Sequence, residues 1–224
     1  MNIVVTGASR GIGFETAKEF AQAGHQVIAV ARNTEKLQSL ADLYDVSVYT
    51  FDLTSDNYDP LIKHIQSYGR VDVLINNAGT LLNKPFTEIT DEELHYIYSV
   101  NAHAVFRLTR DLMSHFSPAA HIVNISSVGG VQGSVKFPGL TAYSSSKASV
   151  AIFTECLAEE YKATTLRFNA LALGAVQTDM LKEAFPDFQA PLSAVEMAAY
   201  IVRFALYDGL YYNGKVLSIS SSTP

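Results

Sequence analysis

The sequence contains no tryptophan and only one cysteine, Cys156, among its 224 residues. One cysteine excludes an internal disulfide, and we expect Cys156 to be a small core residue rather than a nucleophile. Charge is also scarce, since charged residues make up 17% of the chain and the formal net charge is −6. This acidic balance argues against nucleic acid or an anionic membrane surface as the general partner. The expected partner is therefore a small molecule.

Long apolar runs are absent as well. No run approaches the roughly 18 residues needed to span a bilayer, so the sequence predicts no membrane segment. Gly7, Arg10 and Gly11 interrupt the early apolar run, which argues against a signal peptide and favours a cytoplasmic protein. The six histidines show no metal-ligand spacing, so no metal site is expected. With 48% hydrophobic residues, residues 1–224 suffice for a single domain around a substantial core.

Apolar and β-branched runs alternate with helical patterns along the whole chain. The runs predict strands near residues 2–6, 26–31, 46–51, 71–75, 120–125, 165–171 and 215–220. The helical patterns cover residues 14–23, 35–43, 56–67, 90–115, 143–161 and 193–206. This order predicts an α/β fold, a Rossmann-like doubly wound sheet of seven parallel strands with helices on both faces. Ligands are expected at the carboxyl ends of the strands.

A glycine-rich turn joins the first strand to the first helix. Its glycines stand where a backbone must bend tightly, approach a pyrophosphate and let the helix pack on the strand. The amino end of the helix then faces the phosphates. The residues expected to hold a dinucleotide here are Gly7, Ser9, Arg10, Gly11, Ile12 and Gly13.

The end of the second strand predicts which dinucleotide is bound. An acid there would bind a free ribose 2′-hydroxyl, but the chain has Ala31 followed by Arg32. The guanidinium groups of Arg32 and Arg10 are expected to converge on a 2′-phosphate, which predicts NADP(H). The alternative is that Arg32 is a solvated residue before the next helix.

Other polar residues follow later strands. Asp52, followed by Leu53, is expected either to accept a hydrogen bond from the adenine amino group or to cap the helix near residues 56–67. Asn101 lies inside a helical pattern, as a buried polar group or as an outward-facing residue without a role. Ser126 and Ser127 end the fifth strand and by themselves are typical turn formers.

Tyr143 and Lys147 are spaced to lie one turn apart on the same helix face. A fixed ammonium about 6 Å from the phenol would lower the pKa of the phenol toward neutrality and make it a useful acid and base. The spacing alone proves little, because most such pairs are exposed helix faces. Tyr211 and Lys215 repeat it, but an Asn-Gly turn between them breaks the helix.

Taken together in this order, the motifs resemble the short-chain dehydrogenase/reductase family over nearly the whole chain. The motifs are the glycine turn at residues 6–13, the run Asn76, Asn77, Ala78 and Gly79, and then Asn101, Ser127, Tyr143 and Lys147. The resemblance implies a nicotinamide cofactor lying against both the glycine turn and the Tyr-Lys pair.

The resemblance also implies a role for each residue. Tyr143 would protonate a carbonyl oxygen, Ser127 would hydrogen-bond that oxygen, and Lys147 would hold the nicotinamide ribose and lower the pKa of the tyrosine. Asn101 would anchor a water molecule for proton resupply. The remaining cofactor contacts would come from Asp52, Leu53, Asn76, Ala78, Gly79, Gly174 and Thr178.

The chain departs from the family pattern in three places. Leu173 precedes Gly174 where relatives usually have proline, which is expected to leave that loop less fixed. Val135, Lys136 and Phe137 look inserted before the catalytic helix, so Phe137 is a candidate for the substrate wall. The substrate loop at residues 180–192 is short, which suggests an open pocket or a lid borrowed from a neighbouring subunit.

The sequence therefore predicts an NADPH-dependent reductase of a ketone or aldehyde, similar to oxoacyl-carrier-protein reductases and carbonyl reductases. Two alternatives stay open: a dinucleotide-binding regulator without turnover, and an isomerase or lyase that uses the same tyrosine and lysine. A homodimer or homotetramer is expected, because apolar residues on the catalytic helix offer a surface for a partner helix, although core burial would also explain them. These residues are Val150, Ile152, Phe153 and Leu157.

Overall fold

Seven parallel strands form the central sheet of the computed structural model, which describes residues 1–220. The sheet order is β3-β2-β1-β4-β5-β6-β9, and β7 pairs with β8 in a separate short ladder. The strands are β1 (Asn2–Thr6), β2 (Gln26–Ala31), β3 (Val46–Thr50), β4 (Val71–Asn76), β5 (Phe116–Ser127), β6 (Arg167–Leu173), β7 (Val176–Gln177), β8 (Leu192–Ser193) and β9 (Lys215–Ile219). The predicted parallel sheet is confirmed.

Helices cover both faces of this sheet, as the strand and helix alternation predicts. Residues of α1, α2 and α8 share one buried cluster, and residues of α3, α5 and α6 share the other. The helices are α1 (Gly11–Gln22), α2 (Thr34–Leu43), α3 (Asp59–Gln66), α4 (Asp91–Tyr98), α5 (Ala104–Leu112), α6 (Thr141–Glu160), α7 (Asp179–Ala184) and α8 (Ala194–Leu206).

The strand order reverses at β1, which pairs with β2 on one side and β4 on the other. At such a switch point the connections leave the sheet in opposite directions and open a crevice beyond the carboxyl ends of the strands. The glycine turn follows β1 directly, and the run from Asn77 to Gly79 follows β4. The fold therefore brings the predicted cofactor motifs to one edge of the sheet.

The helical pattern of residues 90–115 is not one regular helix. A capping box between Thr90 and Glu93 opens α4, as predicted, but a π-helical turn at Ser99–His103 separates α4 from α5. Asn101 lies in this turn and is fully buried. Its side-chain amide donates hydrogen bonds to the Thr80 carbonyl oxygen at 2.9 Å and the Ser146 hydroxyl at 3.0 Å. The interpretation of Asn101 as a buried polar group is confirmed.

The expectation that Cys156 is a core residue is wrong. Cys156 is exposed on the outer face of α6, because it does not share the helix face that packs on the sheet. Of the two alternatives for Val150, core burial holds, since the residue is 2% exposed. The predicted substrate loop at residues 180–192 is helical at its start, where α7 begins after Thr178, whose hydroxyl caps the helix.

Within residues 1–220, no helix has both the length and the apolar character needed to cross a membrane.

Candidate active site

A cavity of about 590 Å³ opens beyond the carboxyl ends of the central strands. The glycine turn and the ends of β2 and β3 line one half, and the ends of β4 and β5 with the first turn of α6 line the other. Most predicted site residues line it, namely Gly7, Ser9, Arg10, Gly11, Ile12, Gly13, Arg32, Asp52, Leu53, Ala78, Gly79, Ser127, Tyr143, Lys147, Gly174 and Thr178. Asn76 and Asn101 are not among its lining residues.

The glycine turn packs so closely that side chains are excluded at two of its positions. Gly7 has a φ of +69°, and a Cβ there would lie 2.8 Å from the Ala78 Cα. A Cβ on Gly13 would lie 2.4 Å from the Gly7 carbonyl oxygen. The amide groups at the start of α1, which lack intrahelical partners, therefore face the cavity on an unobstructed backbone. This arrangement fits a pyrophosphate.

The two arginines line the same half of the cavity, each is held by a different partner, and their convergence on a 2′-phosphate stays a prediction. Arg10 donates to the Glu183 carboxylate at 2.7 Å, and Arg32 donates to the Tyr96 hydroxyl at 2.7 Å. Lys36, one turn into α2, is a third cation on this wall that the sequence analysis missed. Lys36 lies four residues after Arg32, at the start of a predicted helix, and this spacing is the sequence signal that indicates it.

Asp52 does not cap α3. Its Oδ1 accepts hydrogen bonds from the amide and the hydroxyl of Thr54, both at 2.9 Å, which closes a local turn after β3. The helix begins only at Asp59, after Tyr58. The helix-cap alternative is therefore wrong, and because Asp52 lines the cavity, its contact with the adenine amino group stays a prediction.

Asn76 is not a cofactor-binding residue in this structure. It is 2% exposed, and its side-chain amide donates to the Thr109 hydroxyl at 3.1 Å and to the side-chain Oδ1 of Asn124 at 2.8 Å. Successive side chains of a strand point to opposite faces, and Asn76 points into the core. Its neighbour Asn77 lines the cavity instead and donates to the Thr6 carbonyl oxygen at 2.9 Å.

Tyr143, Ser127 and Lys147 meet in the other half of the cavity. Burial raises the pKa of the Tyr143 phenol above its ordinary value of 10.0, and a hydrogen bond with Ser127 opposes that rise. The pKa of Tyr143 therefore lies above its ordinary value, whereas the spacing to Lys147 predicts a lower one. Lys147 is itself 4% exposed, and its ammonium donates to the Ile125 carbonyl oxygen at 2.9 Å. Desolvation lowers the pKa of Lys147 to about 8.

Asn101 acts on the site through a neighbouring loop. Besides its two donated hydrogen bonds, it accepts one from the Thr80 amide at 2.7 Å. Its side chain therefore binds both the backbone amide and the backbone carbonyl of Thr80, a residue that lines the cavity. The side chain is not among the groups that line the cavity, and the expected water anchor stays a prediction.

The loop after β6 is held by backbone pairing instead of a proline. Leu173 pairs with Ile219, and the Gly174 amide donates to the Ile219 carbonyl oxygen at 2.8 Å. A Cβ on Gly174 would lie 2.4 Å from the Ser220 hydroxyl, so glycine is required by this contact. The backbone at Gly174 is thus paired without a proline, and the expectation of a less fixed loop at Leu173 stays a prediction.

Helix α7 covers the cavity from the outside, which corrects the expectation of an open pocket. Arg10 of the glycine turn donates to Glu183 near the carboxyl end of α7, and Asn83 donates to the Ala184 carbonyl oxygen at the same end at 3.1 Å. Phe137, expected at the substrate wall, does line the cavity. Further lining residues that the sequence analysis missed are Thr80, Leu81, Val128, Leu140, Phe185 and Phe188.

Among the described residues 1–220, no group of three or more histidine, cysteine, aspartate or glutamate side chains is arranged to hold a metal ion.

Comparison with known proteins agrees with this geometry. A sequence profile of the family described as short chain dehydrogenase matches residues 1–189. The chain is 33% identical to a 3-oxoacyl-(acyl-carrier-protein) reductase from Thermotoga maritima, over 96% of this chain and 94% of that protein. It is 31% identical to an acetoacetyl-CoA reductase from an Acinetobacter species, over 97% of this chain and 95% of that protein.

A solved structure shows the same fold. The short chain dehydrogenase of Shigella flexneri 2a, solved in complex with NADP, superposes with a TM-score of 0.89 at 29% identity. The superposition covers 97% of this chain and 95% of that chain. The likeness therefore extends over the sheet, the cavity and the helices that cover it.

Proposed function

This chain belongs to the short-chain dehydrogenase family, and we propose that it uses NADPH to reduce a ketone or aldehyde to an alcohol. The family relatives are oxidoreductases, so the proposal concerns the cofactor, the direction and the residues. The observation that carries it is the placement of Tyr143, Ser127 and Lys147 on the same cavity as the glycine turn. A proton donor, a hydroxyl that can bind the substrate oxygen and a turn that can hold the cofactor then line one cavity.

Tyr143 acts as the general acid in this proposal. When bound, the nicotinamide supplies the hydride. Burial raises the pKa of Tyr143, so the phenol keeps its proton throughout the neutral range. A protonated group suits reduction, in which the developing alkoxide must receive a proton. Ser127 is held by a hydrogen bond from the Gly129 amide at 3.2 Å and would orient the carbonyl oxygen toward Tyr143.

Lys147 would hold the ribose hydroxyls with the donors that its Ile125 bond leaves available. An ammonium has three donors, and one is used by the Ile125 carbonyl oxygen. Its pKa of about 8 keeps it mostly charged at neutral pH. Asn101 then supports the site as a positioning residue, because it fixes the Thr80 loop beside Lys147.

The wall beside the ribose supports NADPH over NADH. Arg10, Arg32 and Lys36 carry three positive charges toward this half of the cavity, and Ala31 occupies the place where an acid would bind a 2′-hydroxyl. A ribose phosphate is stabilised by charge-assisted hydrogen bonds from such a cluster. The NADP carried by the Shigella relative is consistent with this choice.

A regulator without turnover is less well supported. Such a protein needs only the glycine turn and the ribose wall, whereas here Tyr143 and Ser127 also face the cavity. The isomerase or lyase alternative likewise finds no support among the named relatives.

The substrate proposal follows the relatives, which are named for 3-oxoacyl and acetoacetyl thioesters. We propose a small carbonyl substrate.

We also propose that residues 1–224 form one domain, which carries both the cofactor-binding and the catalytic residues. The loop at residues 180–192 is proposed to contact the substrate. A cytoplasmic location stays a prediction.

A homodimer or homotetramer is also proposed. Ile152 is 59% exposed on α6, and Phe153 packs against Phe106 of α5 with 4.9 Å between ring centroids. Phe106 is itself 50% exposed. An apolar strip on two adjacent helices suits a partner helix. Light scattering that shows a monomer at micromolar concentration would contradict this oligomer.

The test of the proposed activity is NADPH oxidation with a panel of ketones, aldehydes and oxoacyl thioesters. At least one class should be turned over, and Ser127→Ala should lower kcat/KM about a hundredfold or more, as removal of a donor to a developing oxyanion does. Ser145→Ala is the matched control, because that exposed hydroxyl only donates to the Thr141 and Ala142 carbonyls of its own helix. No turnover of any class, or equal rates in both variants, would contradict the proposal.

A further inference from the structure

Charge is unevenly distributed along the cavity. The charged residues that line it are Arg10, Arg32, Lys36, Asp52, Lys147 and Asp179. All but Lys147 lie at the half formed by the glycine turn, β2 and β3, where the Asp179 carboxylate is 3.9 Å from Arg10. Lys147 is 4% exposed and bonded to the Ile125 carbonyl oxygen. The half around Tyr143 therefore offers little exposed charge.

That half is lined by apolar side chains from four separate segments. Leu81 follows β4, Val128 follows Ser127, and Leu140 caps α6 one turn before Tyr143. Phe137 precedes Leu140, and the other two residues, Phe185 and Phe188, follow α7. Phe188 leaves 42% of its surface exposed, although aromatic side chains usually bury most of theirs.

Hydrogen bonds hold these segments in place before any substrate binds. The Lys84 amide donates to the Gly139 carbonyl oxygen at 3.0 Å, which joins the loop after β4 to the loop before α6. Asn83 donates to the Ala184 carbonyl oxygen at 3.1 Å, which joins the same loop to the end of α7. The apolar wall is therefore preformed, and a preformed wall discriminates between substrates at a small entropic cost.

The lysines on these segments do not add a cation to the wall. Lys84 forms an ion pair with Glu93 at 2.8 Å. Lys136 donates to the carbonyl oxygens of Val131 and Ser134 in its own loop. Lys182 of α7 is exposed and does not line the cavity. An anionic group on the substrate would find no partner here and would lose its hydration.

We propose that the substrate is a ketone, and that the carbonyl substituent that points away from the cofactor is uncharged and apolar. Phe137 and Phe188 contact this substituent. This inference rests on the proposed reductase activity and narrows it to one chemical class. Ketones with a carboxylate on that substituent are excluded, because the wall provides no cation to replace the hydration of the carboxylate.

The test compares methyl ketones of increasing alkyl length with the same ketones ending in a carboxylate, all with saturating NADPH. Each added methylene should raise kcat/KM about fourfold until the wall is filled, which corresponds to about 0.8 kcal/mol per buried methylene. The carboxylate series should be at least about tenfold slower at equal length. Calorimetric titration of the alcohol products into the NADP-loaded protein should show the same order of affinities.

Phe188→Ser should flatten the dependence on chain length and lower kcat/KM for the longest ketone about tenfold. Phe86→Ser is the control, because Phe86 is 72% exposed and lies outside the cavity. A carboxylate ketone that is reduced as well as its neutral counterpart would overturn the substrate class and leave the reductase activity standing. No reduction of any ketone by a protein that binds NADPH would overturn both proposals.

Discussion

The guanidinium of Arg10 is held by the carboxylate of Glu183 at 2.7 Å, across 173 positions of the sequence. Glu183 belongs to α7, which covers the cavity, whereas Arg10 belongs to the glycine turn. The hydrogen bond raises the pKa of Arg10 and lowers that of Glu183. A group proposed to bind the cofactor phosphate is therefore already paired with an anion, and the two anions compete for it.

Glu183→Gln should tighten NADPH binding. Both partners of this ion pair are exposed, so its contribution is small and the dissociation constant should fall by up to about fivefold, while NADH binding stays unchanged. Titration of NADPH fluorescence measures this directly, because the chain contains no tryptophan to interfere. Asp187→Asn is the control on the same segment. Weaker NADPH binding in Glu183→Gln would mean that Glu183 orients Arg10 instead of competing for it.

Arg32→Ala should remove most of the preference for NADPH. A charge-assisted hydrogen bond contributes about 1.5–3 kcal/mol, so kcat/KM with NADPH should fall about tenfold to a hundredfold while the NADH value changes little. The Tyr96 contact does not prevent this role, since both side chains are exposed. The control is Arg203→Ala, whose guanidinium pairs with Asp208 outside the cavity. Unchanged NADPH kinetics would refute the ribose assignment.

Lys147→Met should stabilise the fold at neutral pH while abolishing reduction. Burial lowers the pKa of Lys147 from 10.5 to about 8, so the unfolded chain binds the proton of Lys147 more tightly than the folded protein does. Below pH 8 this difference favours unfolding of the wild type. At 1.36 kcal/mol per pKa unit the gain approaches about 3 kcal/mol, less the contribution of the lost bond to Ile125. The gain should shrink as pH rises from about 8 to 10.5, because the wild type then loses its proton in the folded state first.

Urea unfolding at pH 7 and near pH 10 measures this difference. Lys215→Met is the control, because Lys215 is exposed and shares the Tyr-x-x-x-Lys spacing without a helix. A Lys147→Met protein that is less stable than the wild type at pH 7 would show that the ammonium contributes more through its bond to Ile125 than burial removes.

The parts of the site that sequence predicts well are local in the chain. Gly7, Gly11 and Gly13 lie within a few residues of each other, and Tyr143 and Lys147 share one helix, so strand and helix periodicity place them. The Asn76 prediction failed because strand neighbours face opposite ways, and a shift of one residue exchanges core for cavity.

The parts that sequence did not predict depend on contacts between distant residues. Glu183 reaches Arg10 only after the chain has folded, and α7 has six residues, too few for a clear helical period. The pKa of Tyr143 was also misjudged, because spacing gives the distance to Lys147 but not the burial of both groups. How deeply these two side chains are buried depends on all the residues that line the cavity.

The central claim is that Tyr143 donates the proton that completes the reduction. Tyr143→Phe removes only the phenolic oxygen, and Tyr211→Phe is the matched control at an 87% exposed tyrosine with the same spacing to a lysine. Single-turnover oxidation of bound NADPH by the best ketone should slow by about a hundredfold to ten-thousandfold in Tyr143→Phe, with NADPH affinity preserved, and should be unaffected in Tyr211→Phe. Equal single-turnover rates in Tyr143→Phe and the wild type would contradict the account.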